Sequence, residues 1–429
     1  MKQQQSHKPT AAVAGAGIVG ICTALQLIRA GYEVTLFDPQ PPAKQTSFGN
    51  AAYLAAEFSE PLATLSNIRS AIALSFSQRS AFKVTADHLP GFIPWALRFA
   101  NAARPSRAEC SRRAIRVLNA HVIEAWQDLL GFSEARDMMH NSGALTLWEH
   151  ADALSDAQNM QQSMRKAGFE TQLFSGPALQ ELEPALKPQL QHGLLYSGAW
   201  QLTDPYAVSM ALFNCFKQHG GRFVQQAVSQ LIPETGGVKI QTTTKQHYFD
   251  QAIVASGAWS RALLKSLGLS VPLAAERGYH LTLPDASCRP GHILGSADRH
   301  VVLSSLDSGL RIVGFGEYGR LNSEPNTQRY RQLMRHLQAL IRDIDPDQQS
   351  ISTWMGIRPT LPDSLPVIDL HPDHPQIGFV FGHHHLGVTQ AAISARMITA
   401  MLTEGKTAKA LLPFKGQLGA YAVDRFGWV

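Results

Sequence analysis

Three glycines at fixed spacing, Gly15, Gly17 and Gly20, stand between an apolar run and an amphipathic stretch, and they restrict the fold of this chain more than any other feature. Residues 11–14 read as a short buried strand, 17–30 as a helix and 33–37 as a second strand, so the chain opens as a β-α-β unit. In such a turn the first glycine permits the tight bend and the second lets the backbone approach a ligand. The third lets helix and strand pack closely. Ala16, Ile18 and Val19 fill the positions between and after the glycines, and their amides open a helix whose positive end suits a phosphate. Asp38 closes the second strand where a carboxylate can accept hydrogen bonds from a ribose, and Pro39 begins a long loop. Strand, helix and terminal acid agree on an adenine dinucleotide, and Asp38 disfavours a 2′-phosphate.

At 429 residues the chain is long enough for two domains sharing a cleft, and 45% apolar with 17% charged residues suits a large core. The formal charge of +5 favours small anions in a general way; no nucleic-acid-binding motif accompanies it, and no nucleic acid partner is expected. Cys22, Cys110, Cys215 and Cys288 lie far apart without a CxxC pair, which argues against a disulfide framework or zinc site and for a reducing, cytoplasmic compartment. The uncharged stretch 11–28 is broken by glycines and followed by a strand with a terminal acid, so it does not read as an export signal.

Residues 61–135 read as mostly helical, with breaks at Pro90, Gly91, Pro94 and Pro105. Strands are expected at 144–148, 222–231, 238–243, 251–255, 279–283, 301–304, 310–313 and 378–381. Helices are expected at 151–167, 205–219, 327–344 and 387–402, the second capped by Asp204 with Pro205 in its first turn. This order predicts an α/β fold. A Rossmann-like dinucleotide domain (8–60, 199–270 and 352–429) is interleaved with an α+β substrate domain (61–198 and 271–351) built on a mostly antiparallel sheet.

Four further segments follow the glycine fingerprint: Thr46-Ser47-Phe48-Gly49-Asn50-Ala51-Ala52, Ala255-Ser256-Gly257-Ala258-Trp259-Ser260, Trp354-Met355-Gly356-Ile357-Arg358-Pro359, and Gly382-His383-His384-His385-Leu386-Gly387-Val388-Thr389. As an ordered series over nearly the whole chain they resemble the motifs of the D-amino acid oxidase superfamily of flavoproteins, most of all its D-amino acid dehydrogenase and glycine oxidase branches. The resemblance implies FAD. No cysteine lies in the C-terminal region where some relatives attach the flavin, so the cofactor is expected to be non-covalent. It further implies that Thr46, Ser47, Asn50, Ala51 and Ala52 lie beside the pyrophosphate and flavin, and that Val228 offers backbone contacts to adenine. Ser256, Gly257, Trp259 and Gly356 are expected along the cofactor, with Gly387, Val388 and Thr389 opening a helix toward the flavin pyrimidine edge. Ala52 stands where relatives commonly have glycine. The three adjacent histidines would also suit a metal, but neighbours in a loop diverge and no other Cys/His cluster accompanies them, so no metal site is expected.

In the same relatives the arginine matching Arg358 forks onto the substrate carboxylate, a task for a fixed planar cation. Tyr279 and His280, in Arg277-Gly278-Tyr279-His280, are pocket candidates. A strand sends neighbours to opposite faces, so one of the two is expected to face substrate. Tyr53 is a weaker candidate, and Glu317 is given no catalytic role. The implied reaction oxidises the Cα–N bond of an amino acid, of D configuration, by hydride transfer to flavin N5, giving an imino acid that water hydrolyses. Cyclic or N-methylated substrates such as D-hydroxyproline or sarcosine are the alternative, and oxygen, a quinone or a carrier protein would take the electrons. Two other classes compete: an enzyme acting on modified tRNA, which predicts a broad basic face and a fused methyltransferase domain, and a flavin-binding protein without turnover. Finally, six arginines lie between Arg98 and Arg116 against one acid, Glu109, beside the apolar run GFIPWALRFA. Such a segment suits peripheral contact with an anionic inner membrane.

Overall fold

A computed structural model of the chain describes residues 8–74, 82–85, 89–347 and 349–427. The polar tail 1–7 and parts of the expected helical region, 75–81 and 86–88, lie outside the described residues. The strand Thr10–Ala14 is the axis of the nucleotide unit, pairing in parallel with Glu33–Phe37 on one side and Gln251–Val254 on the other. Arg222–Val224 and Ile377–Phe381 extend the sheet in parallel, and Val367–Leu370 closes one edge antiparallel. Because successive side chains leave a strand on opposite faces, Ala11 and Val13 join the core under the helices Ile18–Arg29 and Gly387–Glu404. Ala12 and Ala14 pack on the other face against a three-stranded sheet made of Val228–Glu234, Gly237–Thr242 and Gln246–Phe249. Burial on both faces is why these strands read as unbroken apolar runs.

The stretch expected as one strand over 222–231 is two. Arg222–Val224 belongs to the parallel sheet and Val228–Glu234 to the three-stranded one. Alternation alone carries no mark of which sheet a residue joins. Leu89–Ala102 runs as one helix through Pro94, where a break was expected. Pro90 falls in the first turn, whose N–H groups have no helical partner in any case, and Pro94 removes a single bond near the start. Phe92 and Trp95 anchor that helix against Tyr318.

The second large sheet runs in the order Ser352–Thr360, Ala274–Leu283, Gly309–Tyr318, Val301–Leu306, Ile293–Ser296, Ala144–Trp148, His192–Tyr196, Thr171–Ser175, with Phe82–Val84 beside Gly309–Tyr318. Most of its pairings are antiparallel, with two parallel joins: Ile293–Ser296 with Ala144–Trp148, and Phe82–Val84 with Gly309–Tyr318. Hairpins force antiparallel pairing, but these joins link strands far apart in the chain, whose direction no turn dictates. Ser352–Thr360, expected among the nucleotide segments, pairs along Ala274–Leu283 in this sheet. The helix Thr327–Leu340 covers the sheet through Leu333 and Leu337 and stops short of residue 344. Among the described residues no helix is long and apolar enough to cross a membrane.

Candidate active site

The carboxyl end of Thr10–Ala14 opens into a cavity of about 1550 Å³ with walls from both sheets. Ordinary small-molecule pockets hold roughly 300–1,000 Å³, so this one has room for an extended cofactor and a second ligand. At its nucleotide end Gly15 has φ +114°, and a Cβ there would lie 2.5 Å from the carbonyl oxygen of Ala255. A Cβ on Gly20 would lie 1.8 Å from the carbonyl oxygen of Gly15. Both positions therefore require glycine. Asp38 accepts hydrogen bonds from the amides of Ala16 and Gln40, each 2.8 Å long, while burial pushes its carboxyl pKa up against those bonds. Ser47 Oγ accepts the amide of Ile18 at 3.0 Å and sits over the space that Gly17 leaves open. Glycines where a Cβ would close the cradle, helix-opening amides and a carboxylate at the neighbouring strand end fit an adenine dinucleotide.

Gly15, Gly17, Ile18, Val19, Asp38, Pro39, Thr46, Ser47, Asn50, Ala51, Val228, Ser256, Gly257, Trp259, Gly356, Gly387, Val388 and Thr389 all line this one cavity. Ala16, Gly20 and Ala52 stand behind the wall. Ala16 acts through its amide on Asp38, and Gly20 lets the helix close on the turn. Ala52 is fully buried at φ +62°, its amide bonded to Asn50 Oδ1. Two threonine hydroxyls also hold the site together: Thr46 Oγ1 donates to the carbonyl of Ile357 at 2.7 Å, and Thr389 Oγ1, from the last helix, to that of Tyr53 at 3.2 Å. They staple the loop to the rest of the site.

At the other end Arg358 faces Glu276 directly across the strand pair. Its Nη1 donates to Glu276 Oε1 and to the carbonyl of Phe315, both at 2.9 Å. That carbonyl is aimed by an irregularity in the pairing of Ala274–Leu283 with Gly309–Tyr318, where Phe315 takes φ +65°. The guanidinium lies over Gly278, where a Cβ would fall 2.5 Å from Nη2. Among the described residues Nε and Nη2 carry no hydrogen bond, and the side chain keeps 22% of its surface exposed. Glu276 is saturated: Thr360 Oγ1 donates at 2.7 Å and the Tyr318 hydroxyl at 3.2 Å, besides Arg358. Burial alone would raise its pKa, but the Arg358 charge and these bonds outweigh it and hold the carboxyl below its ordinary range.

Neither Tyr279 nor His280 presents a free polar group to substrate. Tyr279 reaches the cavity wall, but its hydroxyl donates to buried Glu317 at 3.2 Å and accepts from the amide of Asn326. His280, expected as a pocket residue, is not part of the wall. It is 1% exposed, stacks on Trp354 and bonds the carbonyl of Gly49 through Nδ1; burial, then the Arg311 charge, lowers its pKa to about 3. The two neighbours thus leave the strand on opposite faces, Tyr279 toward the cavity wall and His280 away from it. Tyr53 does line the cavity, from the two-residue strand Tyr53–Leu54.

Two residues escaped sequence reasoning, and a third, Trp354, is legible only as part of a motif, without a role. Glu276 gave no signal beyond standing next to Arg277-Gly278-Tyr279. Arg311 is buried and donates Nη1 to the carbonyls of Phe48 and Asn50, pinning the loop to the large sheet. Trp354 lies across Gly49 and Gly356, where Cβ atoms would come within 2.0 Å and 1.7 Å of its ring. The three histidines diverge: His383 Nε2 meets Ser394 Oγ at 3.0 Å, His384 is buried with neither ring nitrogen partnered among the described residues, and His385 is exposed in the cavity wall.

This geometry agrees with the comparisons. Residues 10–401 match the model of a family described as FAD dependent oxidoreductase. The chain belongs to that family. It is 27% identical over 409 residues to a D-amino-acid oxidase of Bradyrhizobium diazoefficiens, covering 94% of this chain and 97% of that one. It is likewise 27% identical over 409 residues to a D-amino acid dehydrogenase of Vibrio cholerae, covering 92% and 95%. Among solved structures, glycine oxidase from Geobacillus kaustophilus superposes with a TM-score of 0.72 at 18% identity, covering 95% of this chain and 98% of that one, which shows a shared fold. The protein is an FAD-dependent oxidoreductase.

Proposed function

We propose that this enzyme oxidises the Cα–N bond of an amino acid, of D configuration, to an imino acid. The observation that carries this reading is Arg358: its guanidinium is clamped on one edge by Glu276 and Phe315 and open on the other, inside the cavity that the glycine fingerprint also lines. An open Nε–Nη2 edge suits a carboxylate in side-on, two-bond contact. The names of the relatives from Bradyrhizobium diazoefficiens and Vibrio cholerae support an amino acid of D configuration. Bound FAD supplies a hydride acceptor at its N5. The chain's own part is orientation: Arg358 fixes the carboxylate, and Trp354, laid over Gly49 and Gly356, walls the site. The lining residues of the nucleotide end are our cofactor contacts, with FAD held non-covalently, and the segments that carry them form the discontinuous FAD domain.

The test is anaerobic bleaching of the purified yellow protein by panels of D-, L-, cyclic and N-methylated amino acids. D-amino acids are expected to bleach it at the lowest concentrations. Bleaching by cyclic or N-methylated compounds alone would move the substrate class, and no bleaching by any amino acid would reject the reading. Flavin released into the supernatant on acid precipitation would agree with a non-covalent cofactor, and flavin in the pellet would not. Reoxidation of the bleached protein by air, a quinone analogue or neither would sort the electron acceptors.

We also propose peripheral contact with an anionic membrane through the helices Leu89–Ala102 and Pro105–Asn119. Leu89, Ile93 and Leu97 recur every four residues and are 53%, 53% and 67% exposed. Arg104, Arg107, Arg113 and Arg116 are exposed on the neighbouring helix, whereas Arg112 is occupied by Glu60 and Glu109. Co-sedimentation with vesicles containing anionic lipid, lost when those four arginines are changed to alanine, is the expected result. A wild type that stays in the supernatant would end the idea.

A further inference from the structure

In the segment 382–389, His384 alone has buried ring nitrogens with no partner among the described residues. The residue is 6% exposed and lines the cavity. Its backbone holds φ +52°, a left-handed conformation that a residue other than glycine keeps only when its surroundings impose it. A neutral imidazole carries one N–H donor and one acceptor, and leaving both unmet inside a protein is rare without a functional reason. His383, its neighbour, is satisfied by Ser394 and explains nothing about the site.

The place of the ring narrows what can meet it. The turn His384–Leu386 packs against the strand Ser352–Thr360, which carries Arg358. Burial, then the adjacent His385, lowers the pKa of the ring to about 3, so it is neutral at working pH; the charges of Glu276 and Arg358 also reach it. An amino acid in this cavity brings two polar groups. Arg358 has an open edge for the carboxylate. The amine needs an acceptor, and Glu276 is already taken by Arg358, Tyr318 and Thr360. Oxidation of a Cα–N bond also requires the amine as free base, because its lone pair becomes part of the C=N bond. A free carboxylate would hold an ammonium ion instead, whereas an uncharged acceptor near a guanidinium suits the uncharged amine.

We propose that His384 binds the α-amino group of the substrate, accepting one of its N–H groups through a ring nitrogen, and so selects carboxylates that bear an amine. This rests on the amino acid reading above and adds the residue that reads the second end of the substrate.

The experiment uses the FAD-loaded wild type with His384→Gly and His384→Asn. Glycine removes the ring and suits the left-handed backbone, and asparagine keeps an acceptor and tolerates that backbone. Three constants are measured for each protein: half-saturation of anaerobic bleaching by the preferred amino acid, inhibition of that bleaching by benzoate, which has a carboxylate and no amine, and FAD dissociation. In His384→Gly the first is expected to rise about fivefold, the loss of one hydrogen bond, while the other two stay within about twofold of wild type. His384→Asn should recover part of the loss. Parallel shifts for amino acid and benzoate, a changed FAD constant, or no change in any of the three would each overturn the proposal. A wild type that no amino acid bleaches would instead overturn the reading it rests on, so the two failures are distinct.

Discussion

The two ends of the cavity are built in opposite ways. At the nucleotide end the contacts are made by backbone, and the residues that matter are those whose side chains are missing. Gly15 and Gly20 leave no room for a Cβ, and Asp38 is tied to the turn by the amide of Ala16. Most of what fixes it comes from the first fifty residues, with Ala255 closing on Gly15 from the end of a neighbouring strand. At the substrate end the groups come from segments far apart in the chain: the carboxylate of Glu276, the carbonyl of Phe315 and the space over Gly278 surround the Arg358 side chain, and His384 arrives from the turn before the last helix. A backbone cradle constrains sequence locally and tolerates little. A side-chain cluster is set by strand register, and one residue of register shift would dismantle it.

That difference predicts where damage should show. Arg358→Lys keeps the charge but loses the planar fork and the Phe315 and Glu276 clamp. We expect kcat/KM for the amino acid to fall by roughly 10²- to 10³-fold, two charge-assisted bonds' worth, with FAD affinity unchanged. Steady-state kinetics beside a flavin titration would check it, and a loss of FAD would show that the two ends are not separate.

Glu276→Gln comes next. It removes a buried charge from a pair whose partner stays, so we expect a stability loss of about 2 kcal/mol at neutral pH, less than for a fully buried pair because Arg358 keeps access to the cavity. The sign with pH follows from the lowered pKa of Glu276. A carboxyl whose folded value lies below its unfolded one stabilises the fold above the ordinary carboxylate value, roughly 4.3. That contribution is lost as pH falls through the folded value. Thermal melts of wild type and variant should therefore differ most near neutral pH and converge on acidification; a gap that widens in acid would contradict the pairing.

What the sequence made legible follows the same division. The fingerprint, its strand and helix, and Asp38 were readable because a local backbone geometry demands particular residues at particular spacings. Arg358 was readable only through resemblance, and its clamp not at all, since nothing in Glu276 or Phe315 alone signals a partner 82 or 43 residues away. For Tyr279 and His280 alternation held, since Tyr279 reaches the cavity wall and His280 does not, but that the Tyr279 hydroxyl is taken by Glu317 and Asn326 was not legible. The parallel joins in the large sheet were invisible because no turn records them. At the nucleotide end, Asp38→Ala offers a smaller effect of the local kind. It removes the acceptor we assign to the ribose and frees the amides of Ala16 and Gln40, so the FAD dissociation constant should rise about tenfold, with half-saturation by the amino acid unaltered once the flavin is bound.

Thr46 tests whether the two ends are independent at all. Its hydroxyl, on the nucleotide loop, donates 2.7 Å to the carbonyl of Ile357, the residue next to Arg358. Arg311 ties the same loop to the large sheet through Phe48 and Asn50, so the link is doubled and the loss of one bond should be mild. In Thr46→Val the isosteric side chain keeps the packing and removes the donor, and we expect both the FAD dissociation constant and the amino acid half-saturation to rise, each by about two- to fivefold. A flavin titration and anaerobic bleaching on the same preparation would measure them together. A shift in FAD alone would mean that the staple serves only the loop. A shift in both would make Thr46 the point where a site read from backbone is coupled to a site built from side chains.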